Sequence, residues 1–274
     1  MIVTRFAPSP TGRLHLGHAF AAKTAFDAAK KVGGRFLLRI EDIDSTRCKP
    51  EYVDGIYEDL EWLGLKWDEK PRIQSEHTDE YAAVIEKLRK DGFLYPCVCT
   101  RGDIKAELAR IGHAPHAGET AVYPGICKNK RIDVSKYPSY ALRFDSQKAA
   151  EKFPNLFFED AEEGRIAVDA ALLGDVVLAR KEFPASYHLC SVWDDSIQGV
   201  TLVTRGKDLL SATHVHRLLQ AALGLDSPRY AHHRLITDAS GERLAKRRDV
   251  PTIADFRQKG YLPEEILKNF LKIG

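Results

Sequence analysis

Long hydrophobic runs are missing from this sequence. A membrane-spanning helix needs about 18 consecutive apolar residues, and no stretch of that kind occurs. The first residues also lack the order of charged, apolar and small residues that marks a secretory signal peptide. These absences speak against a membrane protein or a secreted protein, and we expect a cytoplasmic protein with no membrane partner.

A dominant charge and a paired set of cysteines are lacking as well. The 41 Lys and Arg residues nearly balance the 39 Asp and Glu residues, so the composition carries no general nucleic-acid footprint. Five cysteines is an odd number, and without a secretory signal a disulfide framework is not expected. Clustered cysteines would instead indicate a metal site or reactive thiols.

Strand and helix patterns alternate near both ends of the chain. Residues 2–6 are β-prone, residues 19–32 have helical character and stop at Gly33-Gly34, and residues 35–40 form another apolar run. This order predicts parallel strands joined by a crossover helix. The same rhythm returns at residue 187, after a turn-rich stretch. We predict the α/β class, with a Rossmann-like parallel sheet that a smaller α+β insertion interrupts.

The loop after the first strand reads FAPSPTGRLHLGH, from residue 6 to residue 18. It feeds a helix N-terminus, which offers free N–H groups and a positive dipole to a phosphate. Gly12 and Gly17 allow the backbone to approach a ligand, while His15 and His18 project from one face of the helix start. The pattern is neither a Walker A loop nor G-x-G-x-x-G. We predict a phosphate site with imidazole donors.

These residues carry a family resemblance. TRFAPSPTGRLHLGHAF resembles the H-I-G-H signature of class I aminoacyl-tRNA synthetases, specifically the glutamyl branch. GERLAKRRD, at residues 241–249, is similar to the second signature, K-M-S-K-S. Lys246 matches its second lysine, whereas Arg243 replaces the first lysine and Ala245 replaces the serine.

The resemblance implies ATP as a substrate, bound together with Mg²⁺. His15, His18 and Lys246 are the implied catalytic residues, because they would hold the phosphates and meet the negative charge that grows as pyrophosphate leaves. The implied ATP-binding residues are His15, Gly17, His18, Arg243 and Lys246.

An acidic amino acid has two carboxylates and one ammonium, so its pocket needs cations and one anion. The resemblance implies a glutamate site made of Arg5, Ala7, Ser9, Glu41, Tyr187 and Arg205. Glu41 suits the ammonium, and the arginines with Tyr187 suit the carboxylates. The sequence leaves open which arginine meets which carboxylate.

Cysteines cluster in the turn-rich stretch. Cys97 and Cys99 open it, and Cys127 follows in the segment YPGIC. Three converging sulfurs need a fourth ligand for tetrahedral Zn²⁺, and such a closed site is structural. The similarity to glutamyl-Q tRNA(Asp) synthetases, in which a tyrosine joins three cysteines, implies Tyr123 as the fourth ligand. The alternatives for this fourth ligand are His113 and His116.

The expected domains follow from these segments. Residues 1–94 form the first half of the catalytic domain, and residues 95–185 form an inserted zinc-containing subdomain of the acceptor type. Residues 186–240 are the second half of the catalytic domain. Residues 241–274 hold the K-M-S-K-S-like loop and the C-terminal helices.

The resemblance covers nearly the whole chain, and no anticodon-binding domain is expected after the late basic segment. It therefore extends to the glutamyl-Q tRNA(Asp) synthetases, which activate L-glutamate with ATP and transfer it to queuosine in the anticodon loop of tRNA(Asp). The implied partners are L-glutamate, ATP and queuosine-containing tRNA(Asp), with the protein acting as a monomer.

Three other functions stay open from the sequence. A compact glutamyl-tRNA synthetase would charge a tRNA 3′ end instead. A nucleotidyltransferase of the small-molecule class shares the H-x-G-H loop, although the set Arg5, Glu41, Tyr187 and Arg205 argues against it. A non-catalytic paralogue would bind tRNA or glutamate as a regulator.

Overall fold

The structure, a computed structural model, describes residues 1–111, 122–180, 184–236 and 250–270. Its strands are β1 Val3–Phe6, β2 Arg35–Ile40, β3 Arg72–Ile73, β4 Leu94–Cys97, β5 Ala141–Phe144, β6 Phe157–Asp160, β7 Gly164–Ala167, β8 Val177–Arg180, β9 Leu202–Gly206 and β10 Arg229–His233. Its helices are α1 Leu16–Lys30, α2 Pro50–Trp62, α3 Thr78–Lys90, α4 Arg101–Arg110, α5 Ser146–Lys152, α6 Tyr187–Ile197, α7 Leu210–Leu223, α8 Ile253–Gln258 and α9 Pro263–Glu265, which continues as a π-helix over Ile266–Phe270.

The first part of the chain builds a parallel three-stranded sheet in the order β1-β2-β3. Val3 lies opposite Arg35, and Arg39 lies opposite Arg72. The crossover helix α1 buries Ala19 and Phe20 in a core that also contains the strand residues on one face of the sheet. The parallel α/β arrangement expected from the sequence is therefore confirmed.

A second sheet has the order β7-β6-β10-β9, with β9, β10 and β6 parallel and β7 antiparallel to β6. It meets the first sheet where the Thr201 N–H donates to the Val3 carbonyl at 3.0 Å and the Val3 N–H donates to Thr201 Oγ1 at 2.9 Å. Strands β6 and β7 come from the stretch 95–185, yet Asp160 of β6 pairs with Tyr230 of β10. This crossing contact places the Asp160 carboxylate beside His232 of β10, whose N–H donates to it at 3.3 Å.

Strands β4, β5 and β8 form an antiparallel sheet of their own. Phe93, Phe144 and Leu178 of this region share one core with Leu189 of α6 and Val215 of α7. The antiparallel sheet is thus packed directly against the helices that carry the second half of the site.

The terminal helices return to the first sheet. Ile253, Phe256 and Ile266 pack in the same core as Ile56 and Leu60 of α2. In the parts of the chain that the structure describes, the helices are all too short or too polar to cross a bilayer.

Candidate active site

The histidine loop forms the first turn of α1. This helix begins at Leu16, three residues before the start expected from the sequence, because His15 caps it. The Gly17 N–H donates to His15 Nδ1 at 3.0 Å, and the His15 N–H donates to His18 Nδ1 at 3.2 Å. A neutral imidazole that accepts at Nδ1 carries its proton on Nε2. Each ring therefore has an Nε2–H group to offer to a ligand.

Both rings are neutral at neutral pH. Burial lowers the pKa of His15, and burial together with the neighbouring His15 lowers the pKa of His18 to about 3. The ring centroids lie 3.9 Å apart. Such a pair can donate hydrogen bonds to phosphate oxygens without adding a charge of its own.

Gly17 is the residue on which this ring arrangement depends. A Cβ atom at Gly17 would lie 2.8 Å from Cε1 and 3.1 Å from Nδ1 of His15, closer than side-chain carbons pack. Gly12 of the same loop has no atom within 4 Å of the corresponding position. The glycine between the two histidines is therefore required by the packing of the His15 ring.

Arg243 and Lys246 lie outside the described residues, but the chain on either side of that segment contacts the histidine loop. After it, Thr252 pairs with His15 in an antiparallel bridge, and the Ile253 N–H donates to the Leu14 carbonyl at 2.8 Å. Before it, the ring of His233 packs edge-on against Phe20 of α1 at 5.1 Å. Both flanks of the basic segment are therefore held at α1.

A cavity of about 290 Å³ lies beyond the carboxyl ends of β1 and β2. Ser9, Glu41 and Tyr187 line it together. The Glu41 N–H donates to the Pro8 carbonyl at 3.0 Å, which ties the loop after β1 to the end of β2. Ala7 directly follows β1 in the same loop. Three of the six residues expected to bind glutamate thus share one cavity.

Glu41 presents one free carboxylate oxygen. Its Oε1 accepts from Arg39 Nη2 at 3.2 Å, and no described residue donates to its Oε2. Burial raises the pKa of Glu41, although Arg39 and Arg5 act in the opposite direction. A ligand ammonium beside Oε2 would add a positive charge and favour the ionised carboxylate.

Arg5 is already paired with a protein carboxylate. Its Nε donates to Asp195 Oδ1 at 2.9 Å, and its Nη1 donates to the Thr204 carbonyl at 3.2 Å. Burial alone would raise the pKa of Asp195, but Arg5 and Arg39 bring it below its usual range. The charge of Arg5 is therefore compensated within the protein.

Arg205 has only neutral partners. Its guanidinium donates to Tyr187 Oη at 3.3 Å and to Thr213 Oγ1 at 2.6 Å, and two imidazoles, of His216 and His232, accept from it at 3.2 Å and 3.1 Å. The residue is 6% exposed, and no carboxylate of the described residues forms an ion pair with it. A buried cation of this kind is suited to bind a carboxylate from a ligand.

Each of these two imidazoles has a second partner, on the ring nitrogen that does not face Arg205. Nδ1 of His232 lies 2.7 Å from Asp160 Oδ2, and Nε2 of His216 lies 3.1 Å from Nδ1 of His188. Burial lowers the pKa of His216 and of His232, and burial together with Arg205 lowers the pKa of His188 to about 4.

Sequence reasoning missed the residues that organise the arginines. Two kinds of signal were available: a charged pair, Asp194-Asp195, and a His-x-His pattern at 214–216, each inside a helix that is otherwise largely apolar. Polar residues in such positions are buried and need partners. The missed residues are Arg39, Asp160, Asp195, Thr213, His216 and His232.

The cysteine cluster forms as three converging sulfurs. The thiols of Cys97, Cys99 and Cys127 lie within 4.8 Å of one another. The Tyr123 hydroxyl lies 3.3 Å from the sulfur of Cys97 and 3.6 Å from that of Cys99, and the Cys127 N–H donates to it at 2.8 Å. Three thiols with the donor chemistry of a zinc site thus meet at one place, with the Tyr123 hydroxyl beside them. The alternatives His113 and His116 lie outside the described residues.

Comparisons with known proteins agree over the whole chain. The family model described as tRNA synthetases class I (E and Q), catalytic domain, matches residues 1–274. A glutamyl-Q tRNA(Asp) synthetase of Rhodobacter capsulatus is 46% identical over 97% of this chain and 98% of its own length. One of Nitratidesulfovibrio vulgaris is 42% identical over 95% and 82%.

A solved structure has a similar fold. The glutamate tRNA ligase of Elizabethkingia meningosepticum, in complex with its amino acid, superposes with a TM-score of 0.78 at 28% identity. The match covers 100% of this chain and 61% of that ligase, so the chain spans about three fifths of its length.

Replacement of Gly17 by alanine should weaken ATP binding, because the new methyl group displaces the His15 ring. A hydrogen bond to a charged group contributes ~1.5–3 kcal/mol, so the dissociation constant should rise roughly tenfold to a hundredfold. Isothermal titration calorimetry with ATP measures it. Gly102→Ala, in α4, is the control and should bind ATP like the unmodified chain, because a Cβ atom there would meet only Thr100 Oγ1 at 3.5 Å. Equal weakening in both variants would contradict the role assigned to the His15 ring.

Protonation of His188 should make stability depend on pH. An unfolded histidine has a pKa of about 6.5, whereas that of His188 in the folded protein is about 4. Between these values the unfolded chain binds a proton that the folded protein does not, so the free energy of unfolding decreases as the pH falls from 7 to 5. His188→Asn removes this contribution.

The stability of the unmodified chain relative to His188→Asn should therefore fall by about 1–2 kcal/mol from pH 7 to pH 5. Urea unfolding of both proteins at the two pH values gives the comparison. A difference in stability that does not change with pH would show that His188 is not held neutral.

Proposed function

The chain belongs to the glutamyl-Q tRNA(Asp) synthetases, within the class I tRNA synthetases, and we propose that it activates L-glutamate with ATP and transfers the glutamyl group to queuosine of tRNA(Asp). The observation that carries this proposal is that Tyr187 lines one cavity with Glu41, which has a free carboxylate oxygen, and also accepts from the buried, uncompensated Arg205 at 3.3 Å. An α-amino acid with an acidic side chain complements both groups.

Activation needs no protein nucleophile. The α-carboxylate of glutamate attacks the α-phosphorus of ATP, the bond to the bridging oxygen breaks, and pyrophosphate leaves. The site has only to position the reactants and to stabilise the charge. The Nε2–H groups of His15 and His18 are placed to donate to phosphate oxygens. Arg243 and Lys246 are proposed to bind the departing phosphates, and Mg²⁺ would supply further positive charge.

Glutamate is proposed to bind with its ammonium at Glu41 and its side-chain carboxylate at Arg205 and Tyr187. The α-carboxylate loses its charge when it becomes the adenylate, whereas the side-chain carboxylate stays charged throughout. A buried cation without a protein partner is therefore better matched to the side chain. Arg5, paired with Asp195, shapes the site from β1, and Ala7 and Ser9 of the adjoining loop complete it.

Transfer follows from the same intermediate. A hydroxyl of the modified base attacks the carbonyl carbon of glutamyl-adenylate, an ester forms, and AMP leaves. The acceptor assignment is supported by the two relatives named glutamyl-Q tRNA(Asp) synthetase, which are 46% and 42% identical to this chain. The likeness to a glutamate tRNA ligase supports the alternative, in which a tRNA 3′ end is charged.

We also propose that Cys97, Cys99, Cys127 and Tyr123 hold one structural Zn²⁺. The three sulfurs and the hydroxyl converge, and the ring of Tyr123 is fixed by the guanidinium of Arg143 at 3.6 Å. Bound zinc would link the start of α4 to the segment after Tyr123 in a region with few buried apolar side chains.

Radiolabelled glutamate tests the acceptor directly. With ATP, label should appear in tRNA(Asp) that contains queuosine, and neither in tRNA(Asp) that lacks it nor in tRNA(Glu). Nuclease digestion should then release the label on the modified nucleoside. Label at the 3′ end of tRNA(Glu) would support the alternative, and the absence of glutamate-dependent ATP–pyrophosphate exchange would refute the activation step itself.

Elemental analysis tests the metal. The purified protein should contain about one zinc per chain, since four ligands form one tetrahedral site. Cys127→Ser should lose the zinc. Cys48→Ser should keep it, because Cys48 lines the cavity of Glu41 and Tyr187 and is not one of the three clustered thiols. Tyr123→Phe distinguishes the fourth ligand: zinc bound as tightly as before would favour His113 or His116.

A further inference from the structure

We infer that His216 and His232 are positioning residues that make Arg205 selective for a carboxylate over an amide. They hold the guanidinium through neutral acceptors, so its positive charge stays uncompensated until a ligand carboxylate binds. The inference rests on the proposed binding of glutamate and names the residues that would distinguish glutamate from glutamine.

The direction of the hydrogen bonds determines the tautomer of each ring. An arginine side chain only donates, so the nitrogens that face Arg205 must carry lone pairs. These are Nε2 of His232 and Nδ1 of His216. The proton of His232 is then on Nδ1, where Asp160 accepts it, and the proton of His216 is on Nε2, where His188 accepts it. The two rings adopt opposite tautomers, and each is held by its outer partner.

Burial and the adjacent guanidinium of Arg205 keep both rings uncharged, although Asp160 acts in the opposite direction on the pKa of His232. All four imidazole nitrogens are used, and a second proton on either ring would place a cation against the guanidinium. Burial lowers the pKa of both rings accordingly. The nearest acidic group in the network, Asp160, lies on the far side of the His232 ring and does not contact Arg205.

The other buried arginines of the site show the contrast. Arg5 donates to Asp195, and Arg39 donates to both Asp195 and Glu41. Direct carboxylate partners thus occur where the cation joins parts of the fold. Within the described portion of this site, Arg205 is the exception, because it has no carboxylate partner. The distances to its imidazole acceptors, 3.1 Å and 3.2 Å, would also suit the carboxylate of an aspartate or glutamate.

A neutral surrounding has a consequence for selectivity. A ligand carboxylate forms hydrogen bonds in which donor and acceptor are both charged, and it compensates the unpaired buried charge of Arg205. The amide of glutamine offers only a neutral carbonyl and leaves the cation unpaired. A protein carboxylate at the position of either ring would neutralise Arg205 beforehand and would repel glutamate.

The test is an isosteric pair, His216→Asn and His216→Asp. Both side chains place an oxygen where Nδ1 accepts from Arg205, and they differ by one charge. In glutamate-dependent ATP–pyrophosphate exchange, His216→Asn should raise the KM for glutamate only about tenfold, as expected for loss of the contact to His188. His216→Asp should raise it about a hundredfold further, since a charge is added against the ligand.

Glutamine is the readout that a merely structural role would not change. The ratio of kcat/KM for glutamate to that for glutamine should fall in His216→Asp and stay close to that of the unmodified chain in His216→Asn. The control is His214→Asp on the same helix. His214 accepts from the Asp169 N–H at 2.9 Å and does not contact Arg205, so its replacement should leave the ratio unchanged.

Equal KM values and equal selectivity in the two His216 variants would overturn the inference. Thermal unfolding checks that both variants are folded. If they are not, Thr213→Asn and Thr213→Asp repeat the charge comparison at the residue that accepts from Nη2 of Arg205. Calorimetric binding of glutamate and glutamine compares the same variants without ATP. If the unmodified chain binds glutamate selectively but shows no exchange, the proposed function fails and the inference stands. If it binds neither amino acid, both fail.

Discussion

The carboxylate of Asp195 is the group on which the candidate active site depends. It binds Arg5 of β1 and Arg39 of β2 from helix α6, which follows them by more than 150 residues. All three side chains are buried, so each charge is stable only because the others are present. The pairing holds the carboxyl ends of β1 and β2 against α6. From those ends emerge the histidine loop and Glu41.

Charge is distributed unevenly around this centre. Arg5 and Arg39 are neutralised by protein carboxylates and act as structural cations. Arg205, on β9, is surrounded by hydroxyls and neutral imidazoles and keeps its charge. Arg5 and Arg39 thus differ in function from Arg205 because their acceptors differ, although all three arginines are buried and lie in β-strands. The same principle applies at the proposed phosphate site, where burial lowers the pKa of His15 and His18 and favours neutral rings.

Two distant parts of the chain complete the site. The segment that follows Val250 pairs with His15, and β6, from the middle of the chain, pairs with β10 and supplies Asp160 behind His232. The site is therefore assembled at the junction of the first sheet and the second, mixed sheet. This placement agrees with the general position of ligands in open α/β sheets, outside the carboxyl ends of the strands.

Local pattern determined the βαβ start of this protein. It also singled out His15 and His18 for a phosphate site, which stays a prediction, and Cys97, Cys99 and Cys127 for a metal site, whereas Tyr123 was implied only by the family resemblance. The helix start at Leu16 was not predicted, since it depends on a histidine acting as a cap. Only the tertiary structure decided which arginine is neutralised. That outcome depends on side chains brought together from β1, α6, α7 and β6, and no short-range pattern records which acceptor a buried donor meets.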